Sequence, residues 1–126
     1  MERRLISGHS PYERTAGFSR AVVAGDRVHV AGTAPIPPGG SDPPVGAYEQ
    51  AALCLEIIAE ALERAGSGLE HVVRTRIYVT DAEHWSDVSR AHGEVFAEVR
   101  PAATCVVAQL LDSSWKVEIE AEAVLR

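Results

Sequence analysis

"HVVRTRIYVT", His71 to Thr80, alternates without a break, with Val73, Thr75, Ile77 and Val79 on one side and Arg74, Arg76 and Tyr78 on the other. Successive side chains of an extended chain point to opposite faces. The stretch therefore reads as a strand with one apolar and one charged face. "WKVEIEAEAVL", Trp115 to Leu125, alternates in the same way and sets Lys116, Glu118, Glu120 and Glu122 on one side. Between them "RPAATCVVAQLL", Arg100 to Leu111, runs through small and β-branched residues with no charge before Asp112, a further strand.

Upstream, "FSRAVVAG" (Phe18 to Gly25) and "RVHVAGT" (Arg27 to Thr33) are β-branched runs joined at Gly25-Asp26, which suits a hairpin. Arg3 to Ser7 is a short extended start. "PIPPGGSDPPVG", Pro35 to Gly46, holds five of the seven prolines and reads as a surface loop with no ladder to join. From Ala47 the period changes. Ala47, Ala51, Cys54, Leu55, Ile58, Ala61, Leu62 and Ala65 follow helical spacing, Glu49, Glu56, Glu60 and Glu63 face away, and Gly66 fits the left-handed stop. "TDAE", Thr80 to Glu83, fits a capping box. Trp85, Val88, His92, Val95, Phe96 and Val99 form the stripe of a second helix that Pro101 ends.

The order is β-β-α-β-α-β-β, an α+β sandwich in which two helices cover one face of a sheet. The other face carries Arg74, Arg76 and Tyr78 beside Lys116, Glu118, Glu120 and Glu122. A symmetric oligomer, with arginine on one subunit answering glutamate on its neighbour, accounts for this face. The alternative is a solvated face in a monomer, in which three glutamates in register on one strand would repel.

A chain of 126 residues has room for one core, and residues 1–126 are expected to form a single domain. Cys54 and Cys105 fall in a helical and a strand pattern and read as two buried thiols in a reducing compartment. No stretch approaches the ~20 apolar residues of a membrane span, and no apolar run follows the basic residues near the start. A cytoplasmic protein, with neither export nor membrane contact, is expected. The net charge of −6, with twelve scattered Lys and Arg residues, repels phosphate backbones and speaks against nucleic-acid binding.

"GFSRAV" (Gly17 to Val22), "VHVAGTAP" (Val28 to Pro35), "RTRIYVTD" (Arg74 to Asp81), "RPAATCVV" (Arg100 to Val107) and "VEIEAEAV" (Val117 to Val124) resemble, in order and over nearly the whole chain, the successive blocks of the RidA/YjgF family, also called endoribonuclease L-PSP. The resemblance implies a chorismate-mutase-like α+β fold with a mixed sheet. It further implies a homotrimer with sheets packed inward, helices outside and three clefts between subunits. The family's cleft hydrolyses reactive enamines and imines such as 2-aminoacrylate to the 2-oxo acid and ammonia, without metal or organic cofactor. The matching carboxylate, which would orient water and shuttle protons, is Glu118. The matching backbone positions are Gly32 and Cys105.

Three departures accompany the match. Deaminating members read Pro-Ala-Arg where this chain reads Pro101-Ala102-Ala103, so the guanidinium that clamps a substrate carboxylate is replaced by a methyl group. Phe18 stands where they have tyrosine, and Ser89 where they have an asparagine. The resemblance thus implies a more apolar cleft with a different substrate class.

The candidates also have plainer readings. Glu118 serves either catalysis or an inter-subunit salt bridge with Arg74 or Arg76. Phe18 is either core or a ring against the ligand. His92 reads as a packed, hydrogen-bonded core histidine, and the other histidines lack metal-ligand spacing. Cys105 has no neighbour that would lower its thiol pKa, which favours a backbone role. Arg14, Arg20 and Arg100 could each supply a replacement cation, but read as solvated. Three functions follow: an imine or enamine hydrolase with an altered substrate; a ligand-binding or protein-interacting trimer without turnover; and, opposed by the acidic balance, a ribonuclease.

Overall fold

A computed structural model describes residues 2–125. In chain order the elements are β1 (Arg3–Ile6), α1 (Tyr12–Ala16), β2 (Ala21–Ala24), β3 (Arg27–Thr33), α2 (Ala47–Ala65), β4 (Val72–Val79), α3 (Trp85–Phe96), β5 (Ala102–Val107) and β6 (Val117–Val124). Short 3-10 turns at Leu69–His71 and Ala82–His84 lead into β4 and α3. The strands form one mixed sheet in the order β1-β2-β3-β6-β4-β5, antiparallel except for the parallel pair β4–β5. This is the expected α+β architecture. The short extended start is an edge strand paired with β2, and the five-residue α1 is an element that periodicity is too short to announce.

One face of the sheet is apolar, and α2 lies across it. Val117, Ile119, Ala121 and Ala123 of β6 meet Leu55, Ile58 and Leu62 of α2 in a single buried cluster, as the alternation of one and the helical spacing of the other require. Gly66 ends α2 at φ 91°, in the left-handed region where a Cβ would be penalised. On the other face the register sets Arg74 opposite Glu122, Arg76 opposite Glu120 and Tyr78 opposite Glu118. Charge thus lines one side of the two central strands.

Four local expectations are corrected. Val73 does not share the core face, because the ladder shifts between Val72 and Arg74; Val72 takes the buried place and Val73 is 42% exposed. The strand expected from Phe18 begins only at Ala21. The capping side chain here is Asp81 rather than Thr80, and it caps the 3-10 turn that leads into α3, its carboxylate accepting from the Glu83 N–H at 2.8 Å; α3 itself starts from His84 with no side-chain cap. Finally, α3 packs chiefly against α2 and the short turns, so its buried stripe is narrow. Val88, Ala91 and Phe96 fill that stripe, whereas Trp85 and Val95 are exposed. The helix ends at Phe96, ahead of Pro101, and Arg100 adopts φ 52°, strained for a residue with a side chain.

His92 is half-buried on the inner side of α3, with its Nε2 2.9 Å from Thr75 Oγ1, and burial pushes its pKa down. This is the packed, hydrogen-bonded histidine read from the sequence. Replacing the fully buried Ile58 by alanine is expected to cost about 2–5 kcal/mol in chemical denaturation. On the outer face of the same helix, Glu60→Ala should stay within ~0.5 kcal/mol of wild type.

Candidate functional site

The open sheet face is broken at one place. Val30 pairs with Ala121 and Thr33 with Ile119, so Ala31 and Gly32 of β3 together oppose Glu120 alone. An extra residue in one strand bends it and re-aims its neighbours. Three hydrogen bonds fix the bend: Ala31 N–H to the Arg20 carbonyl at 3.0 Å, Thr33 Oγ1 to the Ala31 carbonyl at 2.8 Å, and Arg20 Nη2 to the Gly32 carbonyl at 2.5 Å. The absence of a side chain at position 32 lets Glu118 take its present place. A Cβ there would sit 2.6 Å from Glu118 Oε2, so the carboxylate occupies the space a side chain would fill.

A hollow of about 360 Å³ opens over this contact. Its lining includes Phe18, Arg20, Gly32 and Glu118. The rest of the wall is largely apolar and comes from distant segments: Tyr12 from α1, Ile36 from the proline-rich loop, and Leu111 and Trp115 from the approach to β6. Buried Gln50 holds two of those segments to the start of α2. Its Nε2 donates to the carbonyls of Pro44 at 2.8 Å and Ser114 at 2.9 Å, and its Oε1 accepts from the Lys116 N–H at 2.7 Å. Gly17, at φ 79°, ends α1 and turns the chain so that Phe18, 39% exposed, lies at the pocket rather than in the core.

Glu118 is half-buried, and burial pushes its carboxyl above the usual carboxylate range; the Arg20 charge draws it part of the way back, and Glu120 adds a smaller upward push. Its neighbours on β6 are engaged. Glu120 accepts from the Tyr78 hydroxyl and lies 4.0 Å from Arg76, and Glu122 lies 3.6 Å from His29. Among the described residues no salt bridge or side-chain hydrogen bond ties Glu118. A carboxylate with raised proton affinity, unpaired and facing an apolar hollow, can accept and return a proton.

Arg20 corrects the expectation of a solvated side chain, since it is only 6% exposed. It fits because Gly8 makes room: a Cβ on Gly8 would sit 2.9 Å from Arg20 Cβ and 3.0 Å from its Cδ. Burial lowers its pKa, and the nearby charges of Glu13 and Glu118 oppose that shift. Its Nε has no hydrogen-bond partner among the described residues. The guanidinium carbon lies 6.0 Å from the centre of the Phe18 ring.

The six site residues taken from the sequence thus divide. Phe18, Gly32 and Glu118 meet at one pocket. Ala103 and Cys105 lie on β5, opposite Thr75 and Ile77 of β4 at the sheet's edge, and Ser89 is on α3, where its hydroxyl donates to the Ser86 carbonyl at 3.1 Å. None of these three lines the pocket. Cys105 is half-buried rather than buried, and burial raises its thiol pKa, whereas Cys54 is fully buried beneath the site with its thiol pushed far up. Arg14 and Arg100 are exposed. Sequence reasoning missed the buried state of Arg20 and the contributions of Tyr12, Trp115 and Gln50; the only signal was the pair of glycines, Gly8 and Gly32, that make room around Arg20 and Glu118. A larger hollow, about 650 Å³, spreads over the open sheet face along Arg3, Arg14, His29, Glu120 and Glu122. Its carboxylates already have partners, so the chemistry favours the smaller one.

Comparison with known proteins places this geometry among relatives. The family model described as endoribonuclease L-PSP matches residues 8–125. The chain is 43% identical to the uncharacterized protein SCO2049 of Streptomyces coelicolor over 126 residues, covering 96% of this chain and 90% of that one. It is 34% identical to the RutC family protein y4sK of Sinorhizobium fredii, over 82% of this chain and 83% of the relative. Among solved structures, Rv2704 of Mycobacterium tuberculosis, described as a member of the YjgF/YER057c/UK114 family, superposes with a TM-score of 0.88 at 40% identity, covering 98% of this chain and 99% of that chain. No helix among the described residues is long and apolar enough to cross a membrane.

The environment of Glu118 has a measurable consequence. A carboxyl whose folded pKa is raised binds protons more tightly when folded, so its cost to stability is absent below the ordinary carboxylate range and grows as pH rises through the raised value. Glu118→Gln removes that cost. At pH 7 it is expected to raise the unfolding midpoint by ~1–3 °C, a modest shift because the group is only half-buried and Arg20 offsets part of the cost. The difference should close below about pH 4, near the unperturbed carboxylate value. Thermal melts of both proteins across pH test this.

Proposed function

The chain belongs to the endoribonuclease L-PSP family, the RidA/YjgF proteins, and from that premise we propose that it is an imine or enamine hydrolase acting in the cytoplasm as a homotrimer. The observation that carries the reading is the Glu118 carboxylate: unpaired, raised in proton affinity, and pressed against Gly32 in a pocket with apolar walls. An enamine first takes a proton on carbon and gives one up from nitrogen, becoming the imine. Water then adds to the C=N carbon, its proton passing to Glu118 and on to the nitrogen. The carbinolamine collapses to the carbonyl compound and ammonia. Overall one C=N bond and one water give one C=O bond and NH₃. General acid–base help of this kind contributes about 10²–10⁴-fold, and the sequence of steps calls for neither metal nor organic cofactor.

The trimer supplies what one protomer lacks. Ala103 and Cys105 lie on an edge strand whose Val106 and Val107 are exposed, and docking that edge on a neighbour would bring β5 and Ser89 toward the neighbour's Glu118 pocket. Backbone at Gly32 and Cys105 would then hold the nitrogen and its developing polarity. With alanine at 103 no cation enters from that side, so the substrate differs from small 2-imino acids gripped across the interface. A second reading, a ligand-binding or protein-interacting trimer without turnover, draws on that same alanine. An RNA substrate is opposed by the net charge of −6 and by the glutamates on the open face.

Ammonia release from freshly generated imines, with and without an α-carboxylate, distinguishes these readings. Glu118→Gln is expected to lower turnover by roughly 10²-fold or more, and Ala103→Arg to move preference toward imino acids. Unchanged hydrolysis in Glu118→Gln removes the mechanism. An inert wild type with an active Ala103→Arg supports the non-catalytic trimer.

A further inference from the structure

Arginines buried to this degree are almost always paired with an anion. Arg20 is not. Its one direct hydrogen bond goes to a neutral carbonyl, that of Gly32; its Nε has no partner; and no carboxylate of the described residues lies within 4 Å of its guanidinium. Glu13, one of the two acids whose charge reaches it, spends its carboxylate on the Gly8 N–H, at 3.0 and 3.1 Å. Arg20 also lines the Glu118 pocket, whose larger wall residues are Phe18, Tyr12, Ile36, Leu111 and Trp115. A buried cation short of a counter-ion, at the wall of a hollow of about 360 Å³, describes half of an ion pair.

We propose that Arg20 is the anion-binding residue of this pocket and that its ligand is an organic monoanion, a carboxylate carried on an apolar body. The apolar walls select the body. The acidic neighbours Glu13 and Glu118 select a single negative charge, since a phosphate monoester dianion would be repelled by both. Residue 103 supplies no cation, being alanine: the charge comes from the same chain as Glu118 and enters beside Gly32, not from β5. The inference rests on the reading of the Glu118 pocket as the ligand site, and it adds the class of molecule that the pocket takes; it does not require turnover.

The probes are phenylacetate and its neutral isostere phenylacetamide, titrated calorimetrically into wild type, Arg20→Met, Arg20→Lys and Glu118→Gln. Wild type is expected to bind phenylacetate at least tenfold more tightly than phenylacetamide. Arg20→Met should erase the preference, Arg20→Lys should keep part of it, and Glu118→Gln should bind phenylacetate more tightly because a like charge is gone. The Arg20 Nε–H resonance of the wild type should move with phenylacetate and not with phenylacetamide, which reads the contact even where Arg20→Met fails to fold. Equal affinity of wild type for the two probes, no binding of either, or a preference that survives in Arg20→Met overturns the proposal. Because binding is read apart from ammonia release, an anion site in a protein that hydrolyses nothing would leave this inference standing while the hydrolase reading fell.

Discussion

One missing carbon atom organises the site. With no Cβ at Gly32, Glu118 lays its carboxylate against the bent backbone of β3, within 2.6 Å of where that carbon would stand. The bend itself follows from the extra residue between Val30 and Thr33, and the Arg20 side chain holds its carbonyl. Remove the bend and Glu118 becomes one more glutamate on a wet sheet face. The close approach therefore converts a repeating strand pattern into a single exceptional carboxylate.

The register of β4 on β6 explains why Glu118 rather than its neighbours is left free. Glu122 faces Arg74 and lies near His29, and Glu120 faces Arg76 and accepts from Tyr78. Glu118 faces Tyr78, but that hydroxyl is already committed to Glu120. Two of the three glutamates have basic partners to relieve the repulsion expected of like charges on one strand. The third sits beside the buried arginine without touching it, and its desolvation is only partly relieved. The pairing pattern thus supplies both the order of the open face and its one unpaired carboxylate on β6.

Much of this was legible in the sequence because period carries it. The alternation at Arg74 to Val79 and Val117 to Val124, the helical spacing over Ala47 to Ala65 and the stop at Gly66 translate directly into elements. What failed were features that depend on partners. Val73 turned outward because a bulge in the β4–β6 pairing displaced it, and Trp85 lost its place because α3 leans on α2. Glu118, Gly32 and Phe18, taken from the family blocks, line one pocket, whereas Ala103, Cys105 and Ser89 stand apart from it. Arg20 was misread for a similar reason. Nothing in "GFSRAV" announces that Gly8, twelve residues earlier, will make room for its side chain.

Arg20 also carries a cost that packing alone does not explain. A buried N–H without a partner costs on the order of 1–3 kcal/mol, and Arg20 keeps one at Nε while its charge is removed from water. A methionine or leucine of similar volume would fill the same space without that cost. A fold seldom keeps such a group except where a ligand or a reaction uses it. Ala103 sharpens the point: in a chain with a neutral residue at that position, the one deeply buried cation of the described residues lies at the wall of the pocket that holds the one unpaired, half-buried glutamate of β6. The buried guanidinium and the unpaired carboxylate thus share one pocket within a single chain, joined through the backbone of Gly32.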